Sequence, residues 1–228
     1  ILSNSLDIVL SKNHSADDAF TAEELARDLK AEWNIEAAIG TKKKKHAILL
    51  VRNKKSRAIR AQGYELVVTP EGITIEAPDE QGLFYGTQTL LQLIHKGDTD
   101  LRITGLTIKD WPTIAKRAVH YDTKHHQDKI SYKINMLVWE WEDKFAYPSH
   151  PEIGAPGAFT PEEIKGLTKY ARNYHIEIVP LVQGLGHVSF ILKWPQFSAW
   201  REIAASNWQF CPLKQGSYDL LFDLWKDA

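Results

Sequence analysis

Cysteine and methionine occur once each, at Cys211 and Met136, and the formal net charge is only −1. A single cysteine excludes an internal disulfide framework and leaves the redox compartment open. Near-neutral charge gives no reason to expect nucleic acid or an anionic membrane as partner, and the Lys42–Lys45 run reads as a solvated turn before a strand. No apolar run reaches the ~18 residues of a membrane span. GxSxG, Walker, GxGxxG and HExxH motifs are all missing, so the chemistries they serve lack support. The chain opens at Ile1 with neither an initiator methionine nor a signal-like segment. The expectation is a processed or trimmed form of a longer protein, with a periplasmic or secreted location slightly favoured over a cytoplasmic one.

What is present is a globular composition, 43% hydrophobic and 25% charged over 228 residues, enough for one large domain or two ordinary ones. Residues 1–112 read as an α+β unit. Leu6–Ser11 is a short strand, and Thr21 with Glu24 forms a capping box that opens a helix. Ala47–Val51 is an apolar strand, and Tyr64–Thr69 and Gly72–Ala77 alternate around Pro70-Glu71 as a hairpin. Glu80–Ile94 carries apolar residues at helical spacing, Leu101–Lys109 is a further strand, and Trp111-Pro112 marks a boundary. Residues 113–228 change to strand, helix, strand: Arg117–Thr123, Ile134–Trp141, a helix capped by Thr160 with Pro161 first, then Ile176–Val182. A helix follows from about Val188, and another covers Ser217–Asp227. Alternating β and α predicts a parallel sheet.

In such sheets functional groups gather at the carboxyl ends of the strands. The stretch Ile176–Leu192 is a buried strand that breaks at Gly184 and Gly186 and delivers Gln183 and His187 to that end; the plain alternative is a Gly-rich turn with His187 capping a helix. Trp139-Glu140-Trp141-Glu142-Asp143 puts three carboxylates and two indoles within five residues, suited to a sugar or metal site, or simply to a strand end reaching solvent. Glu140 and Glu142 point one way and Asp143 the other unless the strand bends. Arg117 precedes a stretch expected to be buried and needs a carboxylate or ligand partner. His120, Asp122, Lys124, His125 and His126 follow it. Adjacent histidines diverge on a strand, so His125-His126 reads as a polar loop before a metal site. Eight tryptophans suit sugar-binding clefts and core packing equally.

The segments resemble glycoside hydrolase family 20, the β-N-acetylhexosaminidases. The resemblance rests on Asp110-Trp111-Pro112 before Arg117 and Asp122, Asn135-Met-Leu-Val-Trp-Glu-Trp-Glu-Asp143, His150-Pro-Glu-Ile-Gly154, Phe159-Thr160-Pro-Glu-Glu-Ile164 and Gly186-His187. Gly82-Leu-Phe-Tyr-Gly86 looks like the small α+β domain ahead of the family's barrel. Pro180-Leu181-Val182-Gln183 stands where much of the family has Pro-Glu-Ile-Asp, and Trp-Glu-Trp-Glu replaces a His-rich strand; both changes resemble the hexosaminidase-D-like branch. The resemblance implies an α/β fold: a small α+β N-terminal domain (1–112), then an incomplete TIM (β/α)8 barrel (113–228). A full barrel takes ~250 residues. The link from Lys124 to Ile134 is too short for a crossover of at least ~10–12 residues with its helix. Either the first helix is absent or a segment near Asp128–Lys129 has been closed up.

The family reading implies substrate-assisted hydrolysis of glycans ending in N-acetylglucosamine or N-acetylgalactosamine, without cofactor or metal. An Asp-Glu pair serves as orienter and acid, and it is expected beyond Ala228, so these residues alone imply an inactive fragment. Arg117 and Asp143 match substrate-binding positions, and His187 a support position with Gln183 as its altered neighbour. Two alternatives stand beside this: a metal-dependent barrel hydrolase or isomerase using Glu140, Glu142, Asp143 and His187, and a non-catalytic carbohydrate-binding protein.

Overall fold

The computed structural model describes residues 2, 4–42, 44–98, 100–122 and 133–228. Thr123, Lys124, His125, His126 and the link around Asp128–Lys129 lie outside the described residues. Contacts divide the chain into two units, Ile1–Ala115 and Lys116–Ala228. Among the described residues no helix is long and apolar enough to cross a membrane.

The first unit runs β1 (Ser5–Leu10), α1 (Ala16–Trp33), β2 (Glu36–Gly40), β3 (Ile48–Arg52), β4 (Tyr64–Thr69), β5 (Gly72–Ala77), α2 (Glu80–Leu93), β6 (His95–Lys96), β7 (Leu101–Arg102) and β8 (Leu106–Asp110). A six-stranded sheet has the order β2-β1-β3-β5-β4-β8, parallel from β2 to β5 and antiparallel at β4 and β8. Ile8, Leu25, Leu29, Leu66, Ile75 and Leu83 are fully buried between sheet and helices. Gly82 and Gly86 let α2 settle onto the strands: a Cβ at Gly82 would stand 2.1 Å from the Gly63 carbonyl oxygen, and one at Gly86 2.4 Å from Ile75 Cγ2. Arg52, buried at the end of β3, pairs with Asp18 of α1 (3.1 Å) and Glu80 of α2.

Two local expectations are corrected, and one strand is added. Helix α1 starts at Ala16, where Ser15 and Asp18 form the capping box. Thr21 is buried inside the helix, its Oγ1 donating to the Asp17 carbonyl at 2.9 Å, the back-bond a mid-helix threonine makes. Leu101–Lys109 is two strands, interrupted near Gly105: β7 pairs with β6, while β8 joins the large sheet. Strand β2, too short and small-sided to show alternation, appears only as the parallel partner of β1.

The second unit comprises β9 (Ala118–Asp122), β10 (Met136–Glu140), α3 (Pro161–Asn173), β11 (Glu177–Leu181), α4 (Ser189–Leu192) and α5 (Gln215–Asp227), with short 3-10 turns at Glu142–Lys144 and Pro195–Trp200. Its strands are all parallel, in the order β11-β10-β9. Helix α3 starts as its sequence dictates, with Thr160 and Glu163 in a capping box and Pro161 at the first position. Trp139, Trp141, Phe145, Tyr147, Ile153, Val188, Ile191, Leu220 and Leu224 form the core, with Tyr121, Leu137 and Ile178 packed against it. Alternation turns Met136, Val138, Val179 and Leu181 to the opposite face, where they are only half-buried. Both units combine helices and strands, and the fold class is α/β.

Candidate functional site

The register of the parallel strands brings Asp122, Glu140 and Leu181 side by side at one edge, the carboxyl ends of β9, β10 and β11. Trp139 points the other way into the core, edge-on to Tyr121 (6.2 Å) and Phe159 (5.3 Å), and Trp141 lies 4.4 Å from Phe145. Both indoles are therefore committed to packing and offer no open face to a sugar. Glu140, on the opposite side of the strand, is 5% exposed. A carboxylate so buried needs partners. Its Oε1 accepts a 2.7 Å hydrogen bond from Gln183 Nε2, and its Oε2 lies 3.5 Å from His120 Nε2. The ends of three strands are thus tied through one acid.

Beyond Glu140 the strand stops. Glu142 has a φ of +42° inside the 3-10 turn, so alternation does not carry past Trp141 and the expected shared face of Glu140 and Glu142 does not form. The turn presents Asp143 to two amines, Lys144 Nζ at 2.5 Å and Lys193 Nζ at 3.3 Å. Burial pushes this carboxyl upward, but the two ammonium groups outweigh it and hold Asp143 below the ordinary carboxylate range. Below the turn Tyr147 is fully buried, and burial, then Glu142, Asp143 and Asp227, push its phenol well above its usual value. It stays a neutral hydroxyl.

The loop after β11 carries the other pair. Gln183 is used by Glu140, whereas His187 is exposed and packs its ring against Trp208, centroids 5.3 Å apart. Leu185 and His187 both adopt positive φ, 61° and 58°. Such backbone persists where surrounding bonds hold it. Here Phe210 N–H donates to the Leu185 carbonyl (2.7 Å), Val188 N–H donates to the Trp208 carbonyl (3.2 Å), and Gly186 bridges Gln209.

Arg117 is not brought to this edge. It precedes β9 at the amino end, about 16 Å along the strand from Asp122 and about 10 Å from His120 at ~3.3 Å per residue. There its backbone N–H donates to Asn135 Oδ1 (2.7 Å) and its Nε to the Lys133 carbonyl (2.6 Å). The arginine braces the start of two strands. Which end of its strand it occupies depends on register, which residue types alone do not give. Conversely Glu140 and His120 stood within sequence clusters but could be recognised as partners only once β9 and β10 were aligned. Trp208 carried no spacing signal at all. Among the described residues no group of three or more His, Cys, Asp or Glu side chains is placed to hold a metal ion. A hollow of about 740 Å³ lined by Trp141, Phe145, Ile164 and Lys165 lies beside α3.

The family model for glycosyl hydrolase family 20, domain 2, matches residues 1–111. A β-hexosaminidase of Porphyromonas gingivalis is 26% identical over 176 residues, covering 61% of this chain and 23% of its own length. Human hexosaminidase D is 35% identical over 101 residues, covering 39% of this chain and 21% of its own. The solved N-acetyl-β-hexosaminidase of Streptomyces plicatus superimposes with a TM-score of 0.79 at 24% identity, over 98% of this chain and 52% of that one, a likeness of fold. The chain thus spans about half the length of that structural neighbour, and its match covers about a quarter or less of these two relatives.

Proposed function

With residues 1–111 matching domain 2 of glycosyl hydrolase family 20, and the resemblance to that family's β-N-acetylhexosaminidases holding in sequence and fold, we propose that this chain is part of a retaining exo-β-N-acetylhexosaminidase. Its substrates are glycans that end in N-acetylglucosamine or N-acetylgalactosamine, met in a periplasmic or extracellular setting. The first unit is the α+β domain ahead of the barrel, and the second is the first part of a TIM (β/α)8 barrel. The half-buried Met136, Val138, Val179 and Leu181 support the barrel: parallel sheets bury both faces, and further strands curling round would cover these side chains. Similarity to human hexosaminidase D supports the branch.

The observation that carries the reading is the polar edge itself, where buried Glu140 is held between Gln183 and His120 at the carboxyl ends of the strands. In the proposed reaction the substrate's acetamido oxygen attacks the anomeric carbon as the glycosidic bond breaks. An acid protonates the leaving oxygen, and water opens the ring-closed cation with retention. The orienting and protonating Asp-Glu pair lies outside these 228 residues. The only such dipeptide in the sequence, Asp79-Glu80, is already used, Asp79 capping α2 and Glu80 pairing with Arg52. Asp143, kept ionised by Lys144 and Lys193, and His187 stand at the edge as polar support for that pair. Glu140 and Gln183 set the floor of the sugar pocket.

The complete gene product assayed on aryl β-N-acetylglucosaminides and galactosaminides tests this. Release of the terminal sugar is expected, and it should disappear when a 2-hydroxyl replaces the 2-acetamido group. Cleavage indifferent to that change, or none of either substrate, defeats the proposal.

A further inference from the structure

Trp208 is 56% exposed, although an indole left in water forgoes one of the larger apolar gains available to a side chain. It is not loosely held. Its backbone N–H donates to Ser206 Oγ (3.3 Å), its backbone carbonyl accepts from Val188, and Gln209 and Phe210 bond back to Gly186 and Leu185. Phe210, 1% exposed, anchors this strip in the core. The ring rests against His187 at an interplanar angle of 52°, which fixes its tilt. The other open indole of this unit, Trp225, differs: its Nε1 is directed at the Val182 carbonyl (3.5 Å), and it packs beside Gly184 and Phe222. Trp208 is thus a firmly held, solvent-facing indole on the loop that leads away from the polar edge.

We propose that Trp208 is a stacking platform for a pyranose ring, that of the sugar unit on the leaving-group side of the bond to be cleaved. The inference rests on the glycosidase reading above and adds a second sugar position to it. A pyranose presents a face of C–H groups ringed by hydroxyls. An indole covers the first and leaves the second in water, and preheld aromatic side chains carry a large share of binding energy in recognition surfaces. The terminal sugar belongs over Glu140 and Gln183 at the strand ends. Trp208 lies beyond His187, one loop further out, so the ring it meets is the neighbour of that sugar.

The test compares the complete enzyme with its Trp208→Ala and Trp208→Phe variants on N,N′-diacetylchitobiose and on methyl β-N-acetylglucosaminide, whose leaving group is too small to reach the indole. Trp208→Ala should lower kcat/KM for the disaccharide about tenfold more than for the methyl glycoside, chiefly through KM, and Trp208→Phe should recover most of the difference. Leu167→Ala, an exposed apolar change on α3, should keep the wild-type ratio between the two substrates. Equal losses on both substrates, or no loss, overturn the platform. If the wild-type enzyme cleaves neither, the glycosidase reading falls, and indole fluorescence then decides the platform. A saturable change on adding diacetylchitobiose that Trp208→Ala abolishes supports it, and the lack of one overturns it.

Discussion

Both units set parallel strands beside helices that open with a capping box, Ser15 with Asp18 in α1 and Thr160 with Glu163 in α3, yet they treat their strand ends differently. In the first unit the charge drawn inside at the end of β3 is consumed structurally, Arg52 being matched by Asp18 and Glu80. In the second, the strand ends give way to residues in uncommon backbone conformations, Glu142, Leu185 and His187, and to side chains that face an open edge. Local regularity surrendered at one edge of an otherwise well-packed unit marks a place selected for something other than packing. The first unit shows the same residue types, an Asp-Glu pair and an arginine, spent on holding a fold together. Residue type alone therefore does not separate scaffold from site; the edge on which the residues sit does.

The sharpest way to break this contrast is one substitution made in each unit. Gly82→Ala forces a Cβ to within 2.1 Å of a backbone oxygen, so α2 must lift, and a loss of about 3 kcal/mol in denaturant unfolding is expected. Gly166→Ala in α3 meets nothing within 4 Å, and the same change there should stabilise by up to about 1 kcal/mol. Equal signs would show that the two units are constrained alike.

The two ends of the second sheet give the next contrast. Glu140→Ala strands the Gln183 amide and should cost about 1–3 kcal/mol, together with most of the complete enzyme's kcat/KM, while Glu140→Gln keeps an acceptor and most of the stability. Arg117→Ala, at the amino end, should lower the melting temperature while leaving KM near wild type. A large KM effect from Arg117→Ala would show that its side chain also reaches the substrate.

Asp143 gives a pH signature. Its carboxyl is depressed in the folded state, so its contribution is fully present above the unfolded value, ~3.9, and is lost as pH falls through the lower folded value. Lys193→Met removes one of the two amines and should raise the carboxyl titration midpoint seen by NMR. An unmoved midpoint means that Lys144 alone holds the charge. The smallest effects are the matched caps: Ser15→Ala and Thr160→Ala should each cost about 1 kcal/mol, read as earlier unfolding of α1 and α3.

Much of this architecture is legible in one dimension. The hairpin Tyr64–Thr69/Gly72–Ala77 and helix α3 lie where alternation and capping place them, because neighbouring residues dictate them. Thr21 misled because a threonine can cap a helix or bond back within one, and the choice fell to Ser15, six residues earlier. Trp139 and Trp141 suggested a sugar face because an indole's chemistry is the same in a core as in a cleft; only packing partners distinguish them.

By itself the sequence determined most of the elements, the parallel second sheet, the family resemblance and the presence of a polar strand end at Glu140–Asp143 and Gln183–His187. Periodicity, caps and motif spacing act between residues near in the chain, so they can be read along it. Tertiary structure alone decided that Gln183 serves Glu140, that His187 leans on Trp208, and that Arg117 stands at the far edge. Those facts follow from strand register and loop closure, which join residues 21 to 43 positions apart or set them at opposite ends of one strand.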